Sequence, residues 1–410
     1  MTHQRIILAF IFSACALILT SCAMQKSENH AVFIDHDEAL HTEYSHLEWD
    51  PQIIYNPTST GTPQVTLHEV ISVPTRPSEA PNYKTIRVNF ATDRTRNTVE
   101  GEEPFTEVPN ESENELLYGT CDVSIPFNHQ VGVIEGPALG WKFLENPEKH
   151  MVLLSTKIIG KEIFFENLER QIISTSNLNA FIFVHGYNVS FSDAALRTAQ
   201  MAQDLKFEGA AIFYSWPSKK STATYPWDEQ NIAWSEPHFK RFLSDFLSTT
   251  AAENVYLVGH SMGTRALTSS LVSLTREKPE LTAKLKSIIL AAPDIDTRIF
   301  KRDIAPQLTE ANLNLTLYAS SNDEALKLSR KFHGSARLGD SGASLTLLKG
   351  VDTIDASNAD TSFSFIGHSY YGSKSILSDM YDIFQKNQIK PANRFGLEPV
   401  GNPVTHWTFR

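Results

Sequence analysis

The chain has 410 residues, of which 41% are hydrophobic and 10% aromatic, which is enough to bury a large core. Its 36 lysines and arginines are outnumbered by 47 acidic residues, so the formal net charge is -11. An acidic chain is poorly suited to following a phosphate backbone, and the composition therefore argues against nucleic acid as a partner.

Residues 1–22 have the order of a secretory signal. Arg5 precedes an apolar run over residues 6–19, which two small residues and Cys22 follow. The run also resembles the lipobox of bacterial lipoproteins. That resemblance implies cleavage before Cys22, acylation of its thiol and new amino terminus, export, and lipid anchoring to the membrane of the cell envelope. Ala23 in the next position favours the outer membrane if the source is Gram-negative. The alternative is an ordinary signal peptide with an incidental cysteine.

Residues 23–80 are polar and rich in turn residues, and no helical or alternating period persists in them. This composition predicts a flexible tether. Four histidines in it are separated by six, five and five positions, which do not repeat on one helix face: His30, His36, His41 and His46. A solvated stretch is expected there rather than a metal site.

The cysteines exclude a disulfide framework. Cys15 leaves with the predicted signal and Cys22 carries the predicted lipid, so Cys121 remains as a free thiol. The stability of the folded domain is therefore expected to come from packing.

Residues 81–390 are predicted to form one α/β domain. Strand-like runs open it at 85–91 and 121–126. From residue 162 onward helical patterns alternate with short apolar runs, at 180–184, 210–215, 255–259, 287–292, 315–319 and 345–348. This alternation predicts a mostly parallel, buried sheet with helices on both faces. Residues 391–410 are predicted to be a C-terminal tail.

The Gly-His-Ser-Met-Gly pattern at 259–263 carries the central hypothesis. A serine hydroxyl is a poor nucleophile at neutral pH and needs a turn that exposes it and a base beside it. An apolar strand run precedes the pattern and a plausible helix follows it, which is the context that a nucleophile turn requires. Ser261 is therefore the candidate nucleophile. A structural serine in a tight glycine turn is the alternative.

An acyl-transfer enzyme also stabilises an oxyanion with backbone N–H groups. Met262, directly after the serine, supplies one by position. The strand run that ends at residue 184 leads into a His-Gly loop, in which Tyr187 is the candidate for the second donor and Asn188 the nearby alternative. An ordinary strand-ending turn is the competing interpretation.

Where a nucleophile turn of this type belongs to a serine hydrolase of the α/β class, the acid and then the histidine follow the serine along the chain. This order selects the candidate base and the candidate acid. His368 lies beyond the last strand run and is the candidate base, with a structural histidine as the alternative. Two acids follow strand runs. We favour Asp323, because the loop after the penultimate strand is the commoner position, with Asp294 as the alternative acid. Asp294 otherwise fits a turn or helix cap.

These motifs together resemble a bacterial α/β-hydrolase family of largely uncharacterised function. The similarity covers roughly residues 83–372 and rests on segments in sequence order: 91–94, 183–188, 214–218, 259–263, 292–296 and 368–371. The resemblance implies a serine-hydrolase fold and a catalytic triad. It also favours a role for the loop that contains Asp294.

The leading hypothesis is a serine hydrolase that cleaves a small acyl ester through an acyl-enzyme, without cofactor or metal. Aromatic residues at 225–227 are interpreted as either an acyl pocket or ordinary packing. A thioesterase, amidase or peptidase uses the same triad. A non-catalytic surface lipoprotein that keeps the fold as a binding scaffold is the alternative from another class. The sequence gives no indication of oligomeric state.

Overall fold

The computed structural model describes residues 81–99, 101–112, 116–137, 142–221, 224–359 and 372–410. The predicted signal peptide with Cys22 and the predicted tether lie outside these residues. No helix within the described ranges is long and apolar enough to span a bilayer.

Most of the strands belong to one large sheet. They are β1 (Tyr83–Thr92), β4 (Leu117–Pro126), β5 (Leu153–Ile159), β6 (Asn179–Val184), β7 (Ala210–Ser215), β8 (Asn254–His260), β9 (Leu285–Ala291), β10 (Leu315–Ala319), β11 (Val351–Asp355), β12 (Leu397–Val400) and β13 (His406–Phe409). Within the described residues these eleven strands have the order β12-β13-β11-β10-β9-β8-β6-β7-β1-β4-β5. A separate antiparallel hairpin consists of β2 (Arg94–Arg96) and β3 (Phe105–Pro109).

The sheet is parallel from β1 through to β13, and its antiparallel pairs lie at the two edges. Parallel strands place their carboxyl ends along one edge, so the loops that follow β6, β8, β9 and β10 gather there. The predicted mostly parallel sheet is confirmed.

Helices cover both faces of the sheet. They are α1 (Lys161–Ile173), α2 (Phe191–Asp204), α3 (Tyr225–Thr249), α4 (Gly263–Glu277), α5 (Pro279–Thr282), α6 (Thr297–Ile299), α7 (Ala305–Glu310), α8 (Glu324–His333) and α9 (Lys374–Lys386). A π-helical turn, Phe300–Ile304, joins α6 to α7. Ile182 of β6 packs in one buried cluster with α1, α3 and α4, whereas Phe181 and Phe183 pack in a second cluster with α2 and α9. The predicted α/β-hydrolase architecture therefore has an apolar core on each side of the sheet.

Two predicted segments differ in the structure. Residues 345–348 do not form the expected strand, and Leu347 among them is 43% exposed. The strand is instead β11, whose sequence Val-Asp-Thr-Ile-Asp lacks a continuous apolar run. Residues 391–410, predicted to be a tail, contribute β12 and β13 to the sheet. Buried Leu397 and Phe409 provide the apolar contacts that hold these strands, so the sheet extends past residue 390.

Cys121 lies on β4 and is a free, buried cysteine. Burial raises the pKa of its thiol to about 12. The thiol is therefore protonated and inert at neutral pH, as expected for a cysteine that contributes to packing.

Candidate active site

Ser261 occupies a sharp turn between β8 and α4. Its φ is +51°, a left-handed conformation that residues with a side chain rarely adopt. Its N–H donates to the carbonyl of Ala291 at 3.0 Å, and its carbonyl accepts from the N–H of Asp294 at 3.2 Å. The surrounding backbone therefore holds the turn in this conformation. The residue is 1% exposed.

Glycines flank this turn because there is no space for a side chain. A Cβ at Gly263 would lie 2.2 Å from the carbonyl oxygen of His185, and one at Gly259 would lie 2.8 Å from Cδ2 of Leu267. A larger residue at Gly263 would push α4 away from the end of β6, and one at Gly259 would push it away from β8. The Gly-x-Ser-x-Gly spacing thus has a packing reason at both glycines.

The loop after β6 lies directly against Ser261. A Cβ at Gly186 would be 2.8 Å from Cβ of Ser261 and 2.7 Å from Nδ1 of His260. Only a glycine allows the loop backbone to come this close. Tyr187 is the next residue, so its amide belongs to the backbone segment beside the serine.

Asn188, the alternative oxyanion donor, has its amide engaged elsewhere. Its N–H donates to the carboxylate of Asp228 at 3.3 Å. The same buried carboxylate accepts from the Ser218 hydroxyl at 2.7 Å and from the Lys219 N–H at 2.8 Å. The geometry therefore favours Tyr187 over Asn188 as the donor from this loop.

A buried arginine ties this loop to its neighbours. Arg94 is 0% exposed. Its guanidinium donates to the Ser215 hydroxyl at 2.8 Å and to the carbonyls of Val189 at 2.8 Å, Ser218 at 3.2 Å and Thr106 at 3.3 Å. The loops that follow β6 and β7 are thus joined through one side chain.

His185 is part of the same framework. Its ring stacks on Trp216, with 5.1 Å between centroids, and its Nδ1 donates to the Gly186 carbonyl at 2.8 Å. Burial, and then the charge of Arg94, lowers the pKa of His185 to about 3. The imidazole is therefore neutral at physiological pH and braces the loop.

Asp294 lies in a saturated polar cluster. One carboxylate oxygen accepts from Arg337 Nε at 2.6 Å and from the Ser329 hydroxyl at 2.7 Å. The other accepts from the Tyr225 hydroxyl and from Arg265 Nη2 at 3.3 Å. Burial alone would raise the pKa of this carboxyl, but the two arginine charges hold it at about 2. An imidazole could bind this carboxylate only by displacing one of these donors.

Asp323 lies at the end of the loop after β10 and caps α8. It is 1% exposed, and its Oδ1 accepts from the N–H of Leu326 at 2.9 Å. Burial, and then the charges of Asp323 and Asp294, raises the pKa of Tyr187. The structure thus brings the Asp323 carboxylate within electrostatic range of the loop beside Ser261.

His368, the predicted base, lies outside the described residues. Of the histidines that the structure does describe, His260 is buried beneath Gly186. His333 lies on α8, with Nε2 2.9 Å from Glu229, and His406 lies on β13 at the edge of the sheet. These three histidines therefore give no reason to reassign the base.

The sequence did not reveal the supporting residues Arg94 and Asp228. A fully buried charged residue is rare, so composition offers no signal for one. Arg94 stood out only as part of the segment at 91–94 that carries the family resemblance. Asp228 had no signal, because an acid in the first turn of a helix is commonplace.

A cavity of about 620 Å³ lies beside α4. Its lining includes Val272, Ile295, Ile304 and Arg265 but not Ser261. The cavity thus adjoins the Asp294 cluster through Arg265 and Arg337 but not the serine itself.

A family model described as an alpha/beta hydrolase of unknown function (DUF900) matches residues 161–383, which is more than half of the chain. The chain belongs to this family. Membership confirms the α/β-hydrolase resemblance found in the sequence and supports a hydrolytic activity in general. The matched region contains Ser261, Asp294, Asp323 and His368.

Solved structures similar to this family member share little sequence with it. An uncharacterized protein from Bacillus cereus ATCC 10987 has 16% identity and a TM-score of 0.28, over 38% of this chain and 48% of the other. A cutinase-like protein from Cryptococcus sp. has 16% identity and a TM-score of 0.31, over 52% and 94%. A protein from Thermoplasma acidophilum described as a predicted CIB-like hydrolase has 14% identity and a TM-score of 0.27, over 57% of this chain and 90% of the other. The chain thus spans about half the length of the Bacillus cereus protein. A comparison of this chain with curated proteins found no match.

Proposed function

We propose that this family member is a serine hydrolase that cleaves a carboxylic ester through an acyl-enzyme intermediate. The observation that carries the proposal is the conformation of Ser261. Its φ of +51° in a strand-to-helix turn is the arrangement in which α/β-hydrolases present a nucleophile. The turn opens toward the carboxyl ends of the parallel strands, where loops of this fold class form their sites.

In the proposed reaction, Oγ of Ser261 attacks the acyl carbon while His368 accepts the hydroxyl proton. The imidazolium then gives that proton to the departing alcohol, which leaves an acyl-enzyme. Water, deprotonated by the same imidazole, attacks the acyl-enzyme and releases the acid and the free serine. The N–H groups of Met262 and Tyr187 donate to the negatively charged oxygen in both steps. The contact between Gly186 and Ser261 supports the Tyr187 assignment.

Asp323 is the proposed acid that orients the imidazole. The four donors on Asp294 support this choice, because they leave that carboxylate no vacant acceptor position for a histidine. Asp323 also lies on the loop after β10, which follows the Ser261 loop in the order that the fold requires.

The proposal is tested with a fluorophosphonate probe on the chain without its predicted signal. We expect labelling of the wild type and of Ser269→Ala, a control on the same helix, but not of Ser261→Ala. A panel of short acyl esters, thioesters and amides then identifies the acyl bond, with esters expected to react fastest. Absence of both labelling and turnover would refute the proposed serine hydrolase activity. Faster cleavage of thioesters or amides than of esters would refute the proposed ester specificity.

We also propose that Cys22 is acylated and anchors the protein to the cell envelope. The support is the order of charged, apolar and small residues before it. In cells given an alkyne-tagged fatty acid, the wild type should become labelled and Cys22→Ser should not. Equal labelling of the wild type and Cys22→Ser would refute the proposed acylation of Cys22.

A further inference from the structure

Three aromatic rings lie in a row beside the candidate site. Tyr187 follows Gly186, whose backbone lies against Ser261. The Tyr187 ring centroid is 5.6 Å from that of Tyr225, and Tyr225 stacks nearly parallel on Phe332, with 6.3 Å between centroids and 15° between planes. Tyr187 is 8% exposed and Phe332 is 70% exposed, so this aromatic row leads from the loop beside the serine to the surface.

The middle ring is held by its hydroxyl. Tyr225 donates to the carboxylate of Asp294, and its oxygen lies 3.0 Å from that of Ser329. Burial, and then the charge of Asp294, raises the pKa of Tyr225 far above its usual range, so the ring remains neutral. With the hydroxyl anchored, the part of the ring that remains for contact is apolar.

The outer ring, that of Phe332, lies at the surface and does not pack in the core. Phe332 is among the most exposed large apolar side chains of the described residues, and Leu328, one helical turn earlier, is 45% exposed. Both lie on α8, the helix that begins at Asp323. Neighbouring apolar side chains exposed next to a candidate active site indicate a surface that a ligand covers.

We propose that the aromatic row of Tyr187, Tyr225 and Phe332 binds the acyl chain of a medium-chain ester, such as an octanoyl ester. This inference rests on the proposed function, and it specifies the substrate class. The acyl carbonyl lies at Ser261, and the chain extends along the rings toward Phe332. The rings bury alkyl carbons but offer none of the hydrogen bonds that the hydroxyl groups of a sugar or the amides of a peptide need, so an alkyl chain fits them best.

The test compares kcat/KM for p-nitrophenyl octanoate and p-nitrophenyl acetate. We expect the wild type to favour the octanoate. In Phe332→Ala the octanoate value should fall about tenfold while the acetate value stays unchanged, since only the long chain reaches the outer ring. Phe332→Tyr keeps the ring and should retain the preference. Phe395→Ala is the matched control, because Phe395 is 75% exposed at a distant point of the sequence.

The outcomes separate this inference from the proposed function. If Phe332→Ala cleaves both esters like the wild type, the aromatic row does not bind the chain, and the serine hydrolase stands. If Phe395→Ala lowers the octanoate value equally, the effect is not specific to the row and the inference fails. If the wild type cleaves neither ester and takes no fluorophosphonate label, the proposed function fails and this inference falls with it.

Discussion

Exchanging each carboxylate of the site for an amide separates an orienting acid from a structural one. In Asp323→Asn the amide can still cap α8, because asparagine accepts from a backbone N–H as well as aspartate does. Its effect on stability should therefore be small. An amide cannot hold the catalytic imidazole in the required tautomer, so we expect kcat to fall on the order of 10⁴-fold.

Asp294→Asn should instead lower the stability and leave most of kcat. Arg337 and Asp294 have side chains that are 4% and 2% exposed, so the substitution leaves a buried guanidinium beside a neutral group. Loss of one member of a buried ion pair costs about 3 to 5 kcal/mol. Arg265 is 21% exposed and can be partly resolvated, and the amide keeps some hydrogen bonds. We therefore expect the lower value of about 3 kcal/mol, which corresponds to a Tm lowered by about 5 °C.

The assay is thermal unfolding by circular dichroism together with ester hydrolysis well below Tm. The expected pattern is a large loss of kcat with an unchanged Tm for Asp323→Asn, and a lowered Tm with most of kcat retained for Asp294→Asn. The reverse pattern would make Asp294 the orienting acid. A loss of both Tm and kcat in each variant would refute the separation of roles, because each carboxylate would then support both the fold and the reaction.

Three further predictions concern backbone space and pH. Gly186→Ala places a methyl group 2.8 Å from Cβ of Ser261, so fluorophosphonate labelling should become at least tenfold slower, and unchanged labelling would contradict the close approach. Burial alone would lower the pKa of His129, but hydrogen bonds to two carboxylates raise it from 6.5 to about 9. The contribution of His129 to the stability of the folded protein is therefore complete below pH 6.5 and is lost as the pH rises to about 9. The decrease in Tm over this range should be smaller in His129→Asn than in the wild type. The depressed pKa of Asp294, about 2 against 3.8, predicts stability that is present above pH 3.8 and lost as the pH falls toward 2; the acid-induced loss should be smaller in Asp294→Asn.

The sequence predicts the parts of this protein whose structure is determined locally. The central strands are apolar runs, and the glycines around Ser261 follow from the turn that they must allow. β11 was missed because it has only two apolar residues, Val351 and Ile354, with two polar residues between them. Its pairing with β10 and β13 comes from distant segments. β12 and β13 are short edge strands that depend on the same long-range pairing.

The sequence favoured Asp323 over Asp294 by loop position alone, and the further support for that proposal comes from the fold. Both acids follow apolar strands, and local sequence gives no measure of how many donors a carboxylate will meet. Arg265 and Arg337 are distant from Asp294 in sequence, and only the packing of α4 and the loop after α8 brings their charges to it. The family resemblance also favoured a role for the loop of Asp294, and the ion pairs of Asp294 with Arg265 and Arg337 give that loop a structural role.

Two buried polar clusters hold the backbone on opposite sides of Ser261, and they satisfy their charges differently. Arg94 donates to carbonyl and hydroxyl oxygens, and burial lowers its pKa only to about 10, so it stays protonated at neutral pH. Asp294 is neutralised by two arginines. Loop backbones at the edge of the sheet lack ladder partners, and such clusters supply the hydrogen bonds that fix them. Because Arg94 holds the loop that contains Tyr187 whereas Asp294 joins α4 to α8, damage to the first cluster should affect the oxyanion donors. Damage to the second should instead lower the stability of the domain, because it loosens the contact between α4 and α8.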